Sequence, residues 1–136
     1  MRLWHYKLIS VLPNKMLVSQ WRECIAIKRQ WDKGTLKHRL VSYVMDYDKK
    51  YFLSYVSDIV IEMGKRKINY QSKFCEEIEE FCKDCKIEDY INYPEHNDRY
   101  LKQCYYNLQE KYDRGIISEY EWAKIEEEVK KWNIII

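Results

Sequence analysis

Apolar positions recur mostly at helical spacing along this chain. Between Asn14 and about Gln30, Leu17, Trp21, Cys24 and Ile25 fall at i, i+4, i+7 and i+8, the repeat that lines one face of an α-helix. Pro13 stands where that helix would begin, and Asp32-Lys33-Gly34-Thr35 reads as the turn that ends it. Ahead of it, the aromatic and β-branched segment Met1 to Val11 predicts an extended arm or a single turn. From His38 to Met63, the positions Leu40, Val41, Val44, Met45, Phe52, Tyr55, Val56, Ile59, Val60 and Met63 suit a long buried helix. Asp46–Asp48 is the place where it could be interrupted. Gly64, followed by Lys65-Arg66-Lys67, supplies the residue that closes helices and the cations that suit their C-termini.

Ser72 to about Cys85 predicts a third helix, with Phe74, Ile78 and Phe81 inward and four glutamates outward. Residues 86–97 read as loop. Asn97 to Tyr112 carries the stripe Tyr100, Leu101, Cys104, Tyr105 and Leu108 and stops at Gly115. Ser118 with Glu121 forms a capping box for a last helix bearing Trp122, Ile125, Val129 and Trp132. The expected architecture is therefore all-α: a compact single-domain helical bundle, with an N-terminal arm and a C-terminal helical hairpin. Residues 1–112 would form the core and 113–136 an appended helix.

Composition fits that class. Only three glycines and two prolines occur in 136 residues, of which 46% are hydrophobic, too few turns for a sandwich or barrel. The longest apolar run is Ile134-Ile135-Ile136, so no membrane span is expected, and Arg2 and Lys7 are followed by no apolar stretch of the kind a signal peptide needs. A soluble, cytoplasmic protein is expected, with its five cysteines reduced. The net charge of +2 conceals a division: residues 1–72 hold 14 Lys and Arg against 6 acids, and residues 73–136 hold 10 against 16. Such asymmetry points to a polyanion-facing surface on the N-terminal half. The alternative is a basic half that packs against the acidic one. Lys15, Arg22 and Arg29 are one heptad apart and would share a ridge on the first helix, with Glu23 on its flank.

Few patterns carry chemistry. Cys82-x-x-Cys85 could be half of a zinc site with Cys75, Cys104 or His96, but a second close-spaced pair is missing; ordinary thiols are the simpler expectation. His5, His38 and His96 form no spaced ligand set. His38, at the mouth of the expected second helix, is a candidate phosphate contact or a plain surface histidine. Trp4 and Trp31 are candidates for base stacking or for packing. Phosphate-cradling glycine loops and nucleophile motifs are missing, and neither a metal nor a cofactor is called for. Glu23 beside the cationic ridge is either a local ion pair or a group that handles protons and steadies a developing cation.

Several phrases resemble one family in order and spacing: Met1-Arg2-Leu3-Trp4, Gln20-Trp21-Arg22-Glu23-Cys24, His38-x-x-Val41-x-Tyr43-Val44, Tyr47-Asp48-Lys49, Phe52-Leu53, Lys65-Arg66 with Asn69, and Tyr93-Pro94-Glu95-His96-Asn97-Asp98-x-Tyr100-Leu101. They are similar to the pyrimidine-dimer DNA glycosylase (endonuclease V) family, in particular its uncharacterised bacterial branch. The resemblance implies a helical protein whose arm carries the α-amine into the active site. That amine would attack the sugar C1′ of a damaged nucleotide, expel the base and form an imine that permits β-elimination. An α-amine titrates near 8 and a lysine near about 10.4, so more of the former is nucleophilic at neutral pH. Glu23 inherits the carboxylate role; Arg2 and Arg22 would clamp phosphates of double-stranded DNA, with Lys15 and Arg29 extending the track. Position 2 is Arg where well-characterised members expose a small residue after Met removal, which moves the implied nucleophile to the amine of Met1 or to a lysine. Met16 and Ala26 stand where those members carry a histidine and an arginine, which leaves the lesion open. The alternative function is a non-catalytic DNA-binding or adaptor protein on the same scaffold. The C-terminal hairpin is a candidate surface for a protein partner.

Overall fold

The computed structural model describes residues 1–86 and 90–133; among these are five α-helices, two 3-10 turns and no strand. The all-α expectation holds. Helix α1 (Asn14–Asp32) begins without a side-chain cap, its first N–H groups meeting the Pro13 carbonyl at 2.9 and 3.0 Å. Its buried face is Leu17, Gln20, Trp21, Cys24, Ile25 and Ile27. Across it lies α2 (Lys49–Lys65), which buries Phe52, Ser54, Tyr55, Val56, Ile59 and Met63. Helices α3 (Ser72–Phe81), α4 (Asp98–Asp113) and α5 (Glu119–Lys131) complete the set. Ile78, Leu101, Cys104, Leu108, Trp122, Ile125 and Val129 join the same core cluster as the first two helices.

The N-terminal segment is not wholly extended: after Met1–His5 the chain makes a 3-10 turn at Tyr6–Val11. Leu3, Trp4, Leu8, Ile9 and Leu12 are all buried, so the arm is threaded through the core rather than laid on it. Helix α5 packs on this turn and on α4. The expected long helix from His38 breaks as its sequence allowed. Ser42–Asp46 forms a second 3-10 turn, Tyr47 is extended, and the Asp48 carboxylate caps α2 by accepting the Lys50 N–H at 2.8 Å. His38 therefore sits in an exposed loop, not at a helix mouth.

Helix ends show where the local rules held and where they shifted. Ser118 and Glu121 form the capping box, and Gly115 (φ 78°) closes α4 with Ile116 N–H reaching the Lys111 carbonyl. At the end of α2 the same 6→1 and 5→2 bonds are made by Ile68 to Met63 and Lys67 to Gly64. The left-handed residue there is Lys67 (φ 58°), and Gly64 lies inside the helix. Helix α3 ends at Phe81, short of the expected Cys85. Arg66 spans the junction: its guanidinium donates to the carbonyls of Leu12 (2.6 Å), Ser10 (3.0 Å) and Ile9 (3.4 Å), to Asn14 Oδ1 and to the Glu62 carboxylate. It thereby fastens the first turn and the start of α1 to α2.

Candidate functional site

The arm enters the core under three polar clamps. Gln20, 1% exposed on the inner face of α1, receives the Trp4 N–H on Oε1 (2.7 Å) and donates from Nε2 to the Arg2 carbonyl (2.9 Å). The Tyr55 hydroxyl of α2 lies 2.6 Å from the Trp4 carbonyl and 3.0 Å from Gln20 Oε1. The Tyr100 hydroxyl of α4 donates to the Leu3 carbonyl. Three helices thus fix the backbone of residues 2–4, which leaves Met1 at the protein surface beside Glu23.

Glu23 is half-buried one residue round from the exposed cationic ridge. Burial raises its carboxyl above the usual range. The N-terminal charge, the Arg2 backbone N–H, His38 and the Gln20 carboxamide, 3.0 Å from Oε2, all pull in the opposite direction. Desolvation and a facing cation thus act on this carboxylate in opposite senses, the pairing of influences found around groups that handle protons.

Met1, Glu23 and His38 are brought together, and Lys15 and Arg22 are exposed on the same helix. Arg29 is exposed too, but it is committed: its guanidinium makes two 2.9 Å bonds to Glu77 of α3, which Lys28 also approaches at 3.4 Å. Among the described residues, it is at this corner that ion pairs join the basic half to the acidic half. Glu77 accordingly turns toward α1, unlike the other α3 glutamates, and its carboxyl is held low, first by the Arg29 hydrogen bonds. Arg2 is half-buried; its guanidinium lies 5.5 Å from the Trp4 ring centre and faces Tyr100 and Cys104. Trp4 is 8% exposed, and Trp31 meets Phe52 and Phe81 edge-on, so both tryptophans pack in the core region and offer no stacking platform.

Behind the arm lies a cluster of rings that sequence spacing did not assemble. His5 and His96 are 5.4 Å apart, both buried, among Tyr6, Tyr43, Tyr55 and Tyr100. His96 Nδ1 accepts the Tyr6 N–H at 3.3 Å, which assigns the proton to Nε2, 2.8 Å from the Tyr43 hydroxyl. His5 Nδ1 accepts the Lys7 N–H at 3.1 Å. Burial lowers the two rings to about 3 (His96) and about 4 (His5), so both are neutral at pH 7. Cys82 and Cys85 sit beside Lys49 and Asp48 at the head of α2, and burial raises the Cys82 thiol to about 12. Among the described residues no group of three or more His, Cys, Asp and Glu side chains is arranged to hold a metal.

The family model for pyrimidine dimer DNA glycosylase matches residues 1–76, more than half of the 136. The chain belongs to the pyrimidine dimer DNA glycosylase family. The match takes in the arm, α1, both 3-10 turns, α2 and the start of α3, and so every element that meets at Glu23 except α4. At the level of the family, this glycosylase is a DNA-repair protein, with DNA as its ligand. Comparisons with curated proteins and with solved structures give no match. No helix among the described residues is long and apolar enough to cross a membrane.

Proposed function

We propose that the protein is a DNA-repair glycosylase with lyase activity, acting on pyrimidine-dimer-like damage in duplex DNA. The α-amine of Met1 is the nucleophile. Its nitrogen bonds to the sugar C1′ as the C1′–base bond breaks, and the base leaves with a proton. The nitrogen then gives up a proton and the C1′–O4′ bond breaks with O4′ taking a proton, which opens the sugar to a protonated imine; removal of a C2′ proton expels the 3′ phosphate by β-elimination. Glu23 steadies the cationic sugar and carries the protons.

The observation that carries this assignment is the arm itself. Three clamps hold residues 2–4, and the terminal charge faces Glu23. A binding module has no need to bury its N-terminal strand in order to aim an amine at a carboxylate. Lys15 and Arg22 are assigned to phosphates on either side of the lesion, and His38 to a phosphate near Glu23. Arg29 contributes less, because Glu77 already neutralises it; Arg2 serves chiefly to seat the arm over Trp4.

Borohydride trapping is the test. Native protein incubated with ultraviolet-irradiated or abasic duplex should give a covalent adduct whose peptide map ends at Met1, and Glu23→Gln should slow strand cleavage by two orders of magnitude or so. Salt-sensitive duplex binding with no adduct from either protein would overturn the assignment and favour a non-catalytic DNA-binding role. So would an intact mass showing the α-amine blocked.

A further inference from the structure

Gln20 is the only polar residue on the buried face of α1. A carboxamide has two donor hydrogens and two acceptor sites; both hydrogens and one acceptor site are engaged, and the Tyr55 hydroxyl, whose one proton lies nearer the Trp4 carbonyl, stands against the other. Oε1 receives the Trp4 N–H at 2.7 Å and lies 3.0 Å from the Tyr55 hydroxyl; Nε2 donates to the Arg2 carbonyl at 2.9 Å and to Glu23 Oε2 at 3.0 Å. One neutral side chain thus holds two backbone points of the arm, the helix behind it and the carboxylate in front. Buried networks of this kind are rigid, because any displacement leaves a desolvated polar group unpaired.

We infer that Gln20 is the positioning residue of this site, the group that keeps the N-terminal amine and the Glu23 carboxylate in register. The inference rests on the amine-and-Glu23 assignment above. The remaining groups that face Glu23 are the N-terminal charge, the Arg2 N–H and His38. Of these, Arg2 belongs to the arm Gln20 holds, and His38 comes from an exposed loop. Among the described residues no other neutral side chain bonds both to the arm and to the carboxylate. Reacting atoms misplaced by about 1 Å lose on the order of a hundredfold in rate, so a loosened register should appear in the chemical step and not in DNA affinity, which the exposed cations supply.

Two variants separate positioning from folding. Gln20→Met keeps the volume and removes the bonds to Trp4, Arg2 and Glu23. Gln20→Glu keeps the shape and the acceptor for Trp4 and Tyr55, but turns the donor into an oxygen aimed at Glu23 and the Arg2 carbonyl. For each, the duplex Kd is read by fluorescence anisotropy, the single-turnover trapping rate on abasic duplex from pH 5 to 9, and the fold by thermal melting. The expected result is a Kd within about threefold of native and a trapping rate at least about tenfold lower. In Gln20→Glu the acid limb should also move up by about one pH unit, since two carboxylates at hydrogen-bond distance do not both ionise readily. Both variants trapping within twofold of native, with the limb unmoved, would overturn the proposal. Should native protein give no adduct, the glycosylase assignment falls. Gln20 is then judged by a 13C titration of the Glu23 carboxyl in native and Gln20→Glu protein, assigned with Glu23→Gln. An upward move sustains its hold on the carboxylate and an unchanged titration refutes it.

Discussion

Acid should loosen this protein through its two buried histidines. His5 and His96 carry no charge in the fold, held at about 4 and about 3 chiefly by burial, against 6.5 for a free imidazole. A basic group whose folded pKa is depressed favours the unfolded chain as protons become available. The stability it contributes is complete above the unfolded value and is lost as pH falls through 6.5 toward the folded one. At pH 5 each ring then costs about 2 kcal/mol relative to pH 7.5, and the pair about 4 kcal/mol. Near pH 5 the slope of unfolding free energy with pH approaches about 2.7 kcal/mol per unit, the limit for two protons. The carboxyls of Glu23 and Asp58 are raised by burial and oppose this at the acid end, while Glu77 adds to it below its ordinary value. Comparison with a variant isolates the imidazoles. His96→Asn retains an acceptor for the Tyr6 N–H and removes one titrating ring, so its slope should be about half the native one. Urea titrations at half-unit steps from pH 7.5 to 5.0, at fixed ionic strength, measure both. Coincident native and variant slopes, or a native protein that loses less than about 1 kcal/mol over this range, would refute the argument.

Other substitutions have expected outcomes of their own. Arg66→Lys should lower stability by about 2–3 kcal/mol in urea unfolding, because one ammonium cannot span the three carbonyls that the guanidinium fork reaches. Lys67→Gly should raise it by about 1 kcal/mol, shifting the thermal midpoint by roughly 3–5 °C, since a left-handed backbone strains any residue with a Cβ. Tyr93→Phe should cost nothing or stabilise by up to about 1 kcal/mol, its buried hydroxyl having no partner among the described residues. Tyr55→Phe should cost about 1–2 kcal/mol. In duplex binding followed against salt, Arg22→Ala should reduce the slope of log K by about 0.9 and Arg29→Ala should barely change it, whereas Glu77→Gln should steepen it by freeing Arg29.

What was legible in the sequence was whatever depends on neighbours along a helix. The stripes of α1 and α4, the Ser118–Glu121 box and the closing turn at Gly115 all repeat local rules, and each is present. Glu23 could be singled out for the same reason, as an acid flanking a cationic ridge. Gln20 could have been noticed as well, since it interrupts the Leu17–Cys24–Ile27 face and a polar residue on such a face needs a reason. The remainder depended on contacts between distant segments. His5 and His96 are 91 positions apart and meet only because the arm threads between α1, α2 and α4. Arg29 looks free on its own helix and is spent because α3 brings Glu77 across. Gly64 met the composition of a helix stop, yet Arg66, drawn back to the first 3-10 turn, carries α2 beyond the glycine and leaves Lys67 in the strained place.

Helix α5 buries Trp122, Ile125 and Val129 in the core that holds Leu8 and Ile9, and the Lys7 ammonium lies 4.2 Å from the centre of the Trp132 ring. The turn on which α5 packs is the segment immediately after the clamped arm, so the hairpin and the site share a support. Removing residues 113–136 would expose that turn and leave it held by Arg66 and the three clamps at residues 2–4 alone. Loss of trapping activity with duplex affinity retained is therefore the expected result of that truncation, because Lys15 and Arg22, the cations proposed to meet phosphates, are exposed on α1 and take no part in clamping the arm. If affinity and trapping instead fell together, the hairpin would be holding α1 as well as the arm. If both survived, the buried face of α5 would have to be dispensable, and the outer face of the hairpin would be the place to seek a protein partner.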